Sequence, residues 1–240
     1  MAQHKKTQPG SKRSKRSKDS YQSRRNSTKG QRGKPRKRFL IVCEGTETEP
    51  NYFEALGRKI KTKVNLVIKG AGRVSLSLVE EAKRLKDKDG GYEVKSGDDE
   101  VWCVFDRDFK SENNNQNNFN RAISLACQNN INLALSNDAF ELWFLLHYSY
   151  YDSETHRKNL IKMLDDKMDK KYSKISSEQY YEELEHLLPQ AIKHAEKLWN
   201  SYDEQIELSR SELATLIKKH NINPSTTVYQ LMNKLMKYLD

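Results

Sequence analysis

Phe39-Leu-Ile-Val-Cys-Glu-Gly-Thr-Glu-Thr-Glu-Pro50 decides how this chain is read. Five apolar residues, Phe39 to Cys43, run without a polar break, which predicts a short strand buried on both faces inside a parallel sheet. The run stops at Glu44. Gly45 permits a sharp turn, and Glu49-Pro50 predicts a helix start, with proline in the first turn where no amide donor is needed. A carboxylate thus falls at the carboxyl end of a core strand, where open α/β sheets place their ligands.

Outward from this stretch the same alternation continues. The Pro50 helix is expected to run to about Lys61, followed by a strand at Val64–Lys69, a turn at Gly70–Gly72, and a helix capped by Ser75 or Ser77. A polar loop leads to Glu100-Val-Trp-Cys-Val-Phe-Asp106, a third apolar run ending on an acid, with Asp108 two positions later. An Asn-rich loop, a helix near Phe119–Gln128 and a strand at Ile131–Leu135 complete a four-fold β/α alternation. That order predicts a mainly parallel, doubly wound sheet. Phe140–Leu146 is apolar nearly all round a helix and is expected to be buried. Beyond it only helices are expected: one opened by Pro189, one with a capping box at Ser209 and Glu212, and one started by Asn223-Pro224. The expected division is a basic tail over 1–38, an α/β core over 39–150 and a helical C-terminal subdomain over 151–240.

The net charge of +10 is unevenly spread. Residues 1–38 hold 15 Lys+Arg against one acid, Asp19, whereas residues 39–240 hold 28 Lys+Arg against 32 acids. The tail has no apolar residue beyond Met1, Ala2 and Tyr21, so disorder is expected there. Its basic residues, ending in Lys34, Arg36, Lys37 and Arg38, suit sequence-independent attraction to nucleic-acid phosphates, with a solubilising leader as the plainer use. No apolar stretch is long enough to span a membrane and no secretory leader is evident, so a soluble cytoplasmic protein is expected. Cys43, Cys103 and Cys127 sit apart in apolar contexts and are expected as reduced core residues.

Glu44 and the Asp106-Arg107-Asp108 triplet are the candidates for chemistry. A single acid after a strand is commonly a helix cap or a partner for a surface lysine. Three acids after two buried strands repel one another unless a cation lies among them, and a hard ion such as Mg²⁺ prefers one or two carboxylates with waters and phosphate oxygens. Glu47 and Glu49 could support an ion or simply favour the positive end of the next helix dipole. Arg107, Arg73 and Lys69 could clamp a phosphate or pair with an acid. Glu141, three residues after Asp138, is expected to form a capping pair with it, and His147 suits a hydrogen-bonded structural role better than that of a general base. His186 and His194 are expected at the surface. Tyr148, Tyr150 and Tyr151 could stack on bases, although packing is the safer assignment.

Ile41–Tyr52, Val101–Asp108, Leu135–His147 and Asn223–Val228, taken in order, resemble the RloB family, found beside restriction and anti-phage loci. The resemblance runs from about residue 36 to the C-terminus. That family is in turn similar to Toprim domains, in which a glutamate follows the first strand and Asp-x-Asp follows a later one. The resemblance implies a Toprim-like core, Glu44 in proton transfer or metal support, and Asp106 and Asp108 holding Mg²⁺ or Mn²⁺. It also implies phosphodiester cleavage of DNA or RNA, including tRNA, as the effector of an anti-phage or abortive-infection system. The chain has no Gly-x-x-x-x-Gly-Lys-Ser/Thr loop, so any ATPase partner must be a separate subunit. A non-catalytic subunit binding nucleic acid or an ATPase is the first alternative, a primase-like nucleotidyl transferase the second, and self-association is left open.

Overall fold

The structure is a computed structural model that describes residues 36–88, 91–94, 98–107, 116–204, 206 and 211–239. Asp108, Lys34 and the rest of the tail before Arg36 lie outside the described residues, as does Ser209. Arg36 to Asp240 form one compact unit.

The founding stretch behaves as its composition requires. Phe39 to Cys43 fall within strand β1 (Arg38–Cys43), and each is 2% exposed or less. Helix α1 (Thr48–Ile60) returns to β2 (Asn65–Gly70), and α2 (Ser75–Asp87) crosses to β3 (Asp99–Asp106). Helix α3 (Gln116–Gln128) leads to β4 (Asn132–Asn137) and the fully buried segment Glu141–His147 of α4 (Glu141–Tyr148). The strand order is β2-β1-β3-β4-β5, parallel throughout except for the last strand.

Side-chain alternation along β1 and β3 divides the core in two. Phe39, Ile41, Cys43, Trp102 and Val104 face α1, α4 and the C-terminal helices. Leu40, Val42, Val101, Cys103 and Phe105 face α2 and α3. The first of these cores also takes in Tyr180, Tyr181, Leu188, Leu198, Leu231 and Leu235, so sheet and C-terminal helices share one apolar interior. The C-terminal helices are α5 (Arg157–Asp165), α6 (Ser177–Leu184), α7 (Leu188–Ser201), α8 (Glu212–His220) and α9 (Val228–Leu235).

Several local expectations are revised. Asn223-Pro224 does not open the last helix; it precedes a fifth strand, β5 (Ser225–Thr226), paired antiparallel to β4 before α9 begins. The β4 edge needs partners, and Thr227 supplies them: its amide donates to the Leu135 carbonyl at 2.9 Å and its Oγ1 accepts from the Leu135 amide at 3.0 Å. Neither Ser75 nor Ser77 caps α2. Val74 stands at the N-cap, Ser75 is buried, and the Ser77 hydroxyl donates back to the Val74 carbonyl. Cys43 and Cys103 are buried as expected, but Cys127 is exposed on the outer side of α3. Tyr148, Tyr150 and Tyr151 pack partly buried against the first core. Among the described residues, no helix is long and apolar enough to cross a membrane.

Candidate functional site

The crossovers leave β1 in opposite directions, to β2 on one side and on to β3 on the other, so the carboxyl ends of β1 and β3 flank the switch point of the sheet. Cys43 pairs with Val104, which sets Glu44 and Asp106 at the same rim. The Glu44 amide extends the ladder to the Val104 carbonyl at 2.9 Å, and the Asp106 amide donates to Glu44 Oε2 at 3.0 Å. The two sequence-selected acids therefore converge.

Alternation along β3 then sorts the neighbours of Asp106. Its side chain falls on the Trp102 and Val104 face, above the starts of α1 and α4, and brings in Glu49 from the first turn of α1 and Glu141 from that of α4. These acids, with Glu47, line a cavity of about 280 Å³ that also receives Arg157 and Lys174. Arg157 Nη2 lies 2.5 Å from Asp106 Oδ2, and its Nε lies 3.8 Å from Glu141 Oε2. Glu141 also accepts from the Tyr172 hydroxyl at 2.9 Å. Asp138 is not a capping partner for Glu141. Phe140 holds the N-cap position, and Asp138 Oδ2 accepts from the Arg157 amide at 2.8 Å.

Two glycines let the rim close. A Cβ on Gly45 would run into the Glu49 carboxylate, and one on Gly70 would stand 2.9 Å from the Gly45 carbonyl oxygen and 3.0 Å from Thr46 Cα. The end of β2 thus packs on the Glu44 loop at a distance no larger residue permits.

Burial dominates the electrostatics. It pushes the Asp106 pKa well above the usual carboxylate range, reinforced by Glu49, opposed by Arg157, and reinforced again by Glu141 and Glu44. Glu49 is raised for the same first reason, with Glu141 adding to it and Arg157 and Lys174 opposing. The donor set is all oxygen and its charges are crowded, which fits a hard divalent cation. Among the described residues, no three His, Cys, Asp or Glu side chains are gathered as a ligand group, and the Arg157 guanidinium lies between Asp106 and Glu141.

Other sequence candidates stand elsewhere. Arg107 follows the opposite parity to Asp106 and is fully buried. Its Nε donates to Asn221 Oδ1 at 3.0 Å, its Nη2 bonds Gln116, and its guanidinium lies 4.6 Å from the Phe119 ring centroid, tying β3 to α3 and α8. Lys69 and Arg73 line a separate cavity of about 360 Å³ beside β2, with Arg84 and Glu81. Arg36, Lys37 and Arg38 lie at the amino end of β1, roughly 20 Å along the strand from Glu44. Arg38 forks onto Asp99 with Nε at 3.0 Å, and Lys37 pairs with Glu100 at 2.8 Å. His147 is fully buried, its Nδ1–H donates to the Trp143 carbonyl at 2.9 Å, and burial lowers its pKa to about 4. His186 is exposed, whereas His194 is tethered, its Nδ1–H donating to the Leu146 carbonyl at 2.8 Å.

Arg157 and Lys174 are the cavity residues that sequence reasoning missed. Isolated basic residues in the helical half carry no pattern; the only signal was the unmet need of several clustered acids for counter-charge.

Fold and cavity together define an α/β protein with a carboxylate-rich cleft at the carboxyl ends of parallel strands. The family described as RloB-like protein matches residues 39–235, and the chain belongs to it. No curated protein and no solved structure matches it.

Proposed function

We propose that this chain is a divalent-cation-dependent nuclease that hydrolyses phosphodiester bonds in DNA or RNA. The observation that carries the reading is the convergence of Glu44 and Asp106 across the switch point, joined by the 3.0 Å bond from the Asp106 amide to Glu44. Glu49 and Glu141 share their cavity and Asp106 is buried among them, so positive charge is favoured there. Asp106 and Glu44, helped by Glu49 and Glu141, would hold Mg²⁺ or Mn²⁺. The bound ion would supply Lewis acidity toward a phosphate oxygen.

Hydrolysis adds water across a P–O bond: the attacking oxygen loses a proton as it bonds phosphorus, and the departing ester oxygen gains one. Glu44, half-buried at the rim and oriented by the Asp106 amide, is assigned the proton transfer. Lys174 supplies positive charge on the wall through which a polyanion would enter. The resemblance to the RloB family found beside anti-phage loci adds the biological setting, an anti-phage effector working with a separate ATPase subunit.

The test incubates purified protein with mixed DNA and RNA in Mg²⁺, Mn²⁺ or chelator, alone and with an ATPase encoded beside it. Cleavage that needs the ion and disappears in Asp106→Asn and Glu44→Gln is the expected result. Ion-independent cleavage, or full cleavage by both variants, overturns the reading. Binding without cleavage under every condition leaves the non-catalytic subunit as the function, and a product lengthened by nucleoside triphosphates leaves the transferase.

A further inference from the structure

Five carboxylates, those of Glu44, Glu47, Glu49, Asp106 and Glu141, line the cavity against two cations, Arg157 and Lys174. Arg157 is placed by backbone as well as by charge. It is the first residue of α5, and its amide is pinned to Asp138 Oδ2 at 2.8 Å. From that fixed point its guanidinium reaches Asp106 at 2.5 Å and stands 3.8 Å from Glu141, which come from two different elements. It therefore occupies the place between acids that a small cation would take. Arginine keeps its charge at every accessible pH, so the guanidinium and an incoming divalent ion compete for the same oxygens. The Arg157 side chain is 29% exposed, which gives it a path toward the cavity mouth, and its planar fork matches a phosphate.

We propose that Arg157 is an exchangeable counter-cation: it neutralises Asp106 until a divalent ion takes its place, then turns its guanidinium to a non-bridging phosphate oxygen of the nucleic acid. The exchange keeps a cation beside Asp106 at each stage. One cation serves the acids before the ion enters, and the same cation serves the anion that the substrate brings. The inference rests on the divalent-cation nuclease reading and assigns Arg157 a substrate-binding role within it.

Mn²⁺ binding to the full chain, followed by the electron paramagnetic resonance of the free ion with no nucleic acid present, separates the two ideas. Arg157→Gln is expected to bind Mn²⁺ about tenfold tighter than wild type, because the competitor is gone. With Mn²⁺ saturating, the same variant should bind phosphorothioate-protected DNA and RNA oligonucleotides roughly tenfold more weakly. Arg157→Lys keeps a charge and loses the fork, so it should stay near wild type toward Mn²⁺ and still lose oligonucleotide affinity. Circular dichroism checks that each variant is folded. Wild-type binding matched by an unchanged Arg157→Gln affinity overturns the exchange and leaves the metal site standing. Absence of Mn²⁺ binding in both overturns the metal site and the exchange with it. Should Arg157→Gln fail to fold, undiminished oligonucleotide binding by Arg157→Lys overturns the phosphate role.

Discussion

Asp106 is 8% exposed and hemmed in by other carboxylates, so its charged form is disfavoured in the fold relative to the unfolded chain. A carboxyl whose folded pKa is raised contributes stability that is full below its unfolded pKa and is lost as pH climbs through the folded value. Asp106→Asn should therefore melt at or above the wild-type temperature at neutral pH, with the gap closing in acid, while cleavage is lost. Calorimetry at several pH values, paired with the cleavage assay, checks both halves. His147 and His220 act in the opposite sense. Burial lowers their pKa values to about 4 and about 3, so the stability they provide is complete above about 6.5 and drains away as pH falls through those values. With each pKa unit worth about 1.4 kcal/mol, the two imidazoles account for several kcal/mol. The double variant His147→Asn, His220→Asn should flatten the acid limb of a urea-unfolding series between about pH 6.5 and 4.

At the scale of elements, the Glu44 loop depends on how closely β2 ends against it. In Gly70→Ala the new methyl meets backbone atoms at 2.9 and 3.0 Å, which cannot swing aside, so about 1–3 kcal/mol of stability and much of the cleavage should be lost. Gly57→Ala is the contrast. Its methyl would meet the end of the Leu66 side chain at 3.0 Å, inside a helix that gains from alanine, and stability should stay within about 1 kcal/mol of wild type. Urea unfolding of the two variants measures this difference. The elements that sequence exposes are those whose periodicity is strong. The unbroken run Phe39–Cys43 and the acid-terminated run to Asp106 are legible because burial on both faces leaves no polar position, and the ends of these two adjacent parallel strands then put Glu44 and Asp106 on one rim. Strand parity foretells that Arg107 turns away from Asp106, though not that Asn221 and Gln116 receive it. Strand β5 escapes because two residues carry no period, and Arg157 and Lys174 escape because their place comes from packing across more than fifty positions.

For the molecule as a whole, charge is arranged by location. The family match begins at residue 39, beyond the basic segment. Deleting residues 1–35 should weaken nucleic-acid binding and flatten the dependence of log K on log salt, while the residual cleavage keeps its ion requirement. Filter binding over a salt series measures the slope. A different consequence follows from the outermost strand. Leu135 on β4 finds its backbone partners in Thr227, 92 positions later, and the core under the sheet is closed by Val228, Leu231 and Leu235. On a translating ribosome the first four strands emerge long before that closing segment is made. A nascent chain halted short of it has a bare strand edge and an open core, so the sheet is sealed only once Thr227 and the helix after it have been made.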